Sequence, residues 1–183
     1  GEVWNETKSK YEKDFTCYTL TMAGFAGTKT QANASFSEWE AGITAYIKDQ
    51  KIDKPILIGH SMGGGLALAI AADFPDLIGK IIVVDALPCI SALMNPMFKS
   101  KENNDCNEMI NQMTAMSDNQ FYEMQKKSIP RLLEDSTKHE LVVSWSVKSD
   151  RKTFAGMYCD FSNTDLREKI KTIFIFPGQG AQW

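Results

Sequence analysis

A chain of 183 residues is long enough to bury one sizeable core and short for two full domains. Its 20 basic and 23 acidic residues leave a formal net charge of −3, a balance that offers no grip on nucleic acid or an anionic membrane surface. No apolar run approaches the roughly 20 residues of a spanning helix, and the opening Gly1-Glu2-Val3-Trp4 lacks the basic start and apolar stretch of a signal peptide. Residues 3–13 set Val3, Trp4 and Tyr11 among charges and predict an amphipathic helix. Residues 15–21, β-branched and aromatic, predict a strand. The loop 22–27, with its glycines and Phe25, is read as pocket rim. Ser35-Phe36-Ser37-Glu38 is a capping box that opens a helix through Lys48, with Trp39, Ile43, Tyr46 and Ile47 on one face.

Residues 55–58 are a short apolar run suited to a central parallel strand. Gly59-His60-Ser61-Met62-Gly63 follows, and then a small, apolar helix over 64–72. This is the G-x-S-x-G nucleophile elbow, in which a serine is held at the tip of a strand-to-helix turn. Gly59 and Gly63 are expected because a Cβ at either position strikes the neighbouring strand or helix. The turn lifts the Ser61 hydroxyl to a helix N-terminus, where the backbone N–H of Met62 is the candidate oxyanion donor. Residues 80–85 supply the next buried strand, ending on Asp85.

The run 58–64, followed by Ala72-Asp73-Phe74-Pro75-Asp76-Leu77-Ile78 and the strand to Ala86, resembles the α/β-hydrolase superfamily, in particular its esterase, lipase and lactonase-like members with a helical cap. The resemblance covers residues 2–174. It implies an α/β fold: a mostly parallel sheet over 15–21, 55–59, 80–85 and 172–176, helices on both faces, and an inserted helical cap. Residues 1–87 and 161–183 are then a partial hydrolase core, and 88–160 the cap. The cap region is rich in methionine, and its Ser117-Asp118-Asn119-Gln120 is a second capping box. The implied activity is cleavage of an ester or related acyl bond in a small-molecule substrate, through an acyl-enzyme on Ser61.

Serine needs a base, and the family order is Ser, then Asp or Glu, then His. Asp85 is the candidate acid, a position that otherwise holds loop backbone. The only histidines are His60, the elbow's own variable residue, and His139, which reads as a solvated cap residue. Neither stands where the family keeps its base, a loop near the C-terminus. The loop 22–27 lacks the Asp that the family's corresponding segment carries. The strand and loop that supply a second oxyanion donor would precede Gly1. The chain therefore reads as the middle of a hydrolase: poorly active alone, weakly stable and prone to self-association. A non-catalytic binding fragment is the alternative. The end, Phe176-Pro177-Gly178-Gln179-Gly180-Ala181-Gln182-Trp183, is similar to a loop of acyl-carrier-protein acyltransferases. That family's motif order is reversed, and it continues its serine motif with Glu where Gly64 stands. A rearranged chain, with 177–183 supplying the oxyanion loop, is a further reading.

The four cysteines, Cys17, Cys89, Cys106 and Cys159, form no metal-ligand spacing, and no phosphate-binding loop is present, so neither metal nor nucleotide cofactor is expected. Cys89 and Cys106 are the pair to suspect of bridging in a periplasmic setting; free thiols are the cytoplasmic alternative.

Overall fold

In the computed structural model of the protein, residues 1–32 and 34–172 are described. The elements in chain order are α1 (Asn5–Tyr11), α2 (Phe36–Asp49), β1 (Ile56–His60), α3 (Met62–Asp73), β2 (Lys80–Val84), α4 (Asn107–Thr114), α5 (Asp118–Ser128), α6 (His139–Val147) and α7 (Arg151–Asn163). The chain divides into two compact units, one of Gly1–Ser35 with Asp105–Cys159, the other of Phe36–Asn104 with Asp160–Trp183. No helix among the described residues is long and apolar enough to cross a membrane.

In the second unit β1 and β2 pair in parallel, from Ile56 with Lys80 to His60 with Val84. The β1–α3–β2 crossover explains the sequence between them. Gly64, Gly65, Leu66, Ala67, Leu68, Ala69 and Ile70 are all buried, as suits a helix that is apolar on every side. Ile70 packs with Ile47 of α2 and with Ile78, and Leu57 and Ile81 from the sheet close on the same cluster. Because strand side chains alternate, the opposite face carries Ile56, Ile58, Ile82 and Val84, which are 42–48% exposed. Among the described residues, helices thus cover one face of this pair of strands rather than the two expected. On α2, Phe36, Trp39, Thr44 and Ile47 are buried and Tyr46 faces out. The loop after β2 is strapped by residues 162–167. Leu166 donates to the Pro88 carbonyl at 2.8 Å, Ser91 to the Ser162 carbonyl at 2.6 Å, and Arg167 to the carbonyls of Pro96 and Phe98.

The first unit is helical. Phe121, Val143, Ala155 and Met157 are its fully buried side chains. The rings of Phe121 and Phe154 meet edge to face at 6.0 Å. The capping box at Ser117 is formed: Gln120 N–H donates to Ser117 Oγ, and Ser117 N–H donates to Gln120 Oε1. The turn around Gly24, at φ +82°, is anchored by Asp150 N–H on the Gly24 carbonyl at 2.7 Å.

Several sequence expectations are corrected. Residues 15–21 form no strand. Phe15, Tyr18 and Leu20 are 43–55% exposed, and strand propensity has no effect without a neighbour to pair with. The bridge joins Cys106 to Cys159, not to Cys89, which is free and buried. The strand expected at 172–176 and the acyltransferase-like end at 176–183 lie outside the described residues apart from Thr172, which closes a 3-10 turn over Lys169–Thr172.

Candidate active site

Ser61 stands between β1 and α3 with φ 52° and ψ −121°, a backbone conformation that costs a non-glycine residue on the order of 1–3 kcal/mol. The surroundings fix that conformation. Ser61 N–H donates to the Val84 carbonyl at 3.0 Å, and the Ser61 carbonyl accepts from Gly64 and Gly65 at 2.9 and 3.1 Å. The serine is exposed, and its hydroxyl makes no cap bond to the helix it precedes. Met62 is the first residue of α3, so its N–H belongs to the first-turn donors that the helix itself leaves unused.

The glycines do not share the work as the sequence suggested. A Cβ on Gly59 would lie 2.1 Å from the Gly63 carbonyl oxygen, and one on Gly64 2.6 Å from the Ala86 Cβ. One on Gly63 meets nothing within 4 Å. The close approach of helix to strand is therefore set by Gly59 and Gly64.

Asp85 leaves β2 as Ser61 leaves β1, and it too has a positive φ, 46°. The register that pairs His60 with Val84 brings the two exits side by side at the carboxyl end of the sheet. Both are exposed. His60 is exposed on the face of β1 that bears Ile56 and Ile58. His139 belongs to the other unit, at the start of α6. Its ring Nε2 lies 2.7 Å from the Leu133 carbonyl, so it is half-buried and hydrogen-bonded rather than solvated.

A feature missed from sequence lies on the far side of α2. Glu40 shares a cleft with Phe36, Ala69, Asp160 and Lys169. Burial first, and the neighbouring Asp73 second, raise its carboxyl above the ordinary value, while Lys169 opposes them. Lys169 pairs with Asp73 at 2.6 Å. The signal was available: Glu40 interrupts the Phe36, Ile43, Ile47 stripe at helical spacing.

A sequence profile described as alpha/beta hydrolase fold matches residues 1–132, which is most of the chain. The chain belongs to the α/β-hydrolase family. Among curated proteins, this α/β hydrolase is 22% identical over 178 residues to a pimeloyl-[acyl-carrier protein] methyl ester esterase of Aliivibrio fischeri, covering 94% of this chain and 66% of that one. It is 30% identical over 85 residues to a Mycobacterium tuberculosis protein, covering 46% of this chain and 25% of that one. Among solved structures it is similar to a hydrolase from Pseudomonas aeruginosa, with a TM-score of 0.76 at 15% identity over 94% of this chain and 63% of the other. It is also similar to an esterase from Exiguobacterium antarcticum, with a TM-score of 0.69 at 16% identity over 95% and 66%. The hydrolase thus spans between a quarter and two thirds of the length of these relatives.

Proposed function

We propose that Ser61 is the nucleophile of a serine esterase that cleaves the ester bond of a small acyl substrate through an acyl-enzyme. The observation that carries this reading is the backbone of Ser61: a strained, exposed serine at a helix N-terminus whose hydroxyl does no capping. Strain of this kind persists where the surroundings over-determine it, and it clusters at functional positions. The relatives that are methyl ester esterases and esterases support the ester as the bond attacked. In this reading the Ser61 oxygen adds to the ester carbonyl, and the Met62 N–H donates to the oxygen that becomes negative. Asp85 is the acid that orients a histidine, and residues 88–160 cap the substrate.

His139 already spends Nε2 on the Leu133 carbonyl, which favours a second reading in which the chain binds an acyl ligand without turnover. A fluorophosphonate probe with peptide mass mapping separates the readings when combined with p-nitrophenyl ester hydrolysis. Esterase chemistry predicts labelling of Ser61, its loss in Ser61→Ala, and Ser61-dependent turnover. Without a placed histidine, that turnover is several powers of ten below that of a complete triad. Labelling without turnover selects the binding reading. A folded chain that does not label at Ser61 overturns the esterase reading.

A further inference from the structure

Helix α4 is attached beside α7 at two points, with a close approach between them. Cys106, the residue before α4, is bridged to Cys159. Midway, the Ile110 Cδ1 stands 3.7 Å from the place a Cβ on Gly156 would occupy. Beyond the far end, the Arg151 guanidinium donates to the Met116 carbonyl at 2.5 Å. Read in order, 106 meets 159, 110 meets 156 and 116 meets 151, so α4 runs antiparallel to α7. One attachment is a single hydrogen bond and the other is covalent; between them Ile110 only comes near Gly156.

The helix has little else to hold it. It is 8 residues long and buries none of them. Its neighbours differ: α5 buries Phe121 and Gln125, and α6 buries Val143. A helix this short is marginal in water, where roughly 12–15 residues are needed even with favourable composition. Both bridged cysteines are half-buried rather than sealed in the core.

We propose that the Cys106–Cys159 bridge is a redox-operated clasp that decides whether α4 stays docked and helical. The chemistry is exchange with a dithiol reductant. One reductant thiolate attacks a bridge sulfur, the protein S–S bond breaks and a mixed disulfide forms. The reductant's second thiol then displaces the protein sulfur. Two electrons pass, Cys106 and Cys159 leave as thiols, and the reductant leaves as its own disulfide. Released, α4 loses its helix while α5, α6 and α7 keep theirs, because each has buried side chains of its own, such as Phe121, Val143 and Met157.

Hydrogen exchange with mass spectrometry on the full chain, oxidised and after treatment with dithiothreitol, tests this. Alkylation of the same samples reports the state of Cys106 and Cys159. Reduction should cost the amides of 110–116 about ten-fold or more in protection and leave those of 121–128 within about two-fold. The double variant Cys106→Ser, Cys159→Ser should show the same pattern without reductant; if it does not fold, the reduced native chain decides. Three outcomes overturn the proposal: a bridge that resists dithiothreitol in the folded chain, α4 amides that stay protected once it is open, or equal loss across α4, α5 and α6.

Discussion

The Gly-x-Ser-x-Gly spacing treats its two glycines alike, and the structure does not. Gly59 faces the Gly63 carbonyl so closely that any side chain would have to push α3 off β1, whereas Gly63 faces open space. Gly59→Ala should therefore lower the urea midpoint by the equivalent of about 2 kcal/mol or more, in the range of overpacking in a tight core. Gly63→Ala removes a flexible residue from inside a helix and should be neutral or stabilising by about 0.5–1 kcal/mol. Equal losses at the two positions would refute this division. The turn was legible in the sequence because one serine between small residues, after a buried strand and before an apolar helix, admits few conformations. What the sequence hid was the need for Gly64, since that depends on Ala86 and Val83, well beyond the motif.

At the level of elements, α2 against α3 is the contact with a pH dependence of its own. The folded state raises the Glu40 carboxyl above 4.5, through burial and then through Asp73. Folded protein thus holds that proton to higher pH than the unfolded chain does. The stability this contributes is fully present below 4.5 and is lost as pH rises through the raised folded value. Glu40→Gln keeps a neutral side chain at all pH values, so it should raise Tm at neutral pH and flatten the Tm–pH curve above 4.5. Thermal unfolding from pH 4 upward checks both, and a variant whose curve parallels the native one contradicts the assignment. Elements defined by local chemistry were readable in advance: α5 with its capping box, α2 with its apolar stripe, and the two parallel strands. The stretch 15–21 was not, because its composition promises a strand that only a neighbour could make. The cysteine pairing was equally hidden, since Cys159 meets Cys106 only once α4 lies along α7.

For the whole chain, the open question is the bare face of the sheet. Ile56, Ile58, Ile82 and Val84 form a patch of branched side chains, and among the described residues β1 and β2 have no further strand beside them. Such a face together with unpaired edges invites association. Light scattering should show an average mass that climbs with concentration, and Ile58→Lys with Ile82→Lys should hold the chain monomeric. A native chain that stays monomeric to its solubility limit rules the face out as a contact. Self-association is an expectation from the sequence too, but without any view of which side of the sheet would be open.

The strand register also has a kinetic consequence. Every pairing between β1 and β2 joins residues 24 positions apart, with α3 between them. Closing a loop of that size costs little chain entropy, and contacts this local form quickly. The turn at Ser61 lies inside the same stretch and is held by the Val84 carbonyl from the second strand, so its backbone is set in the event that zips the sheet. The aromatic ring of Phe161, which lies against Gly65 on α3, comes from far along the sequence and is expected to dock later. Sequence separation alone thus predicts that the serine's backbone is set with the sheet, ahead of the contacts made by distant segments.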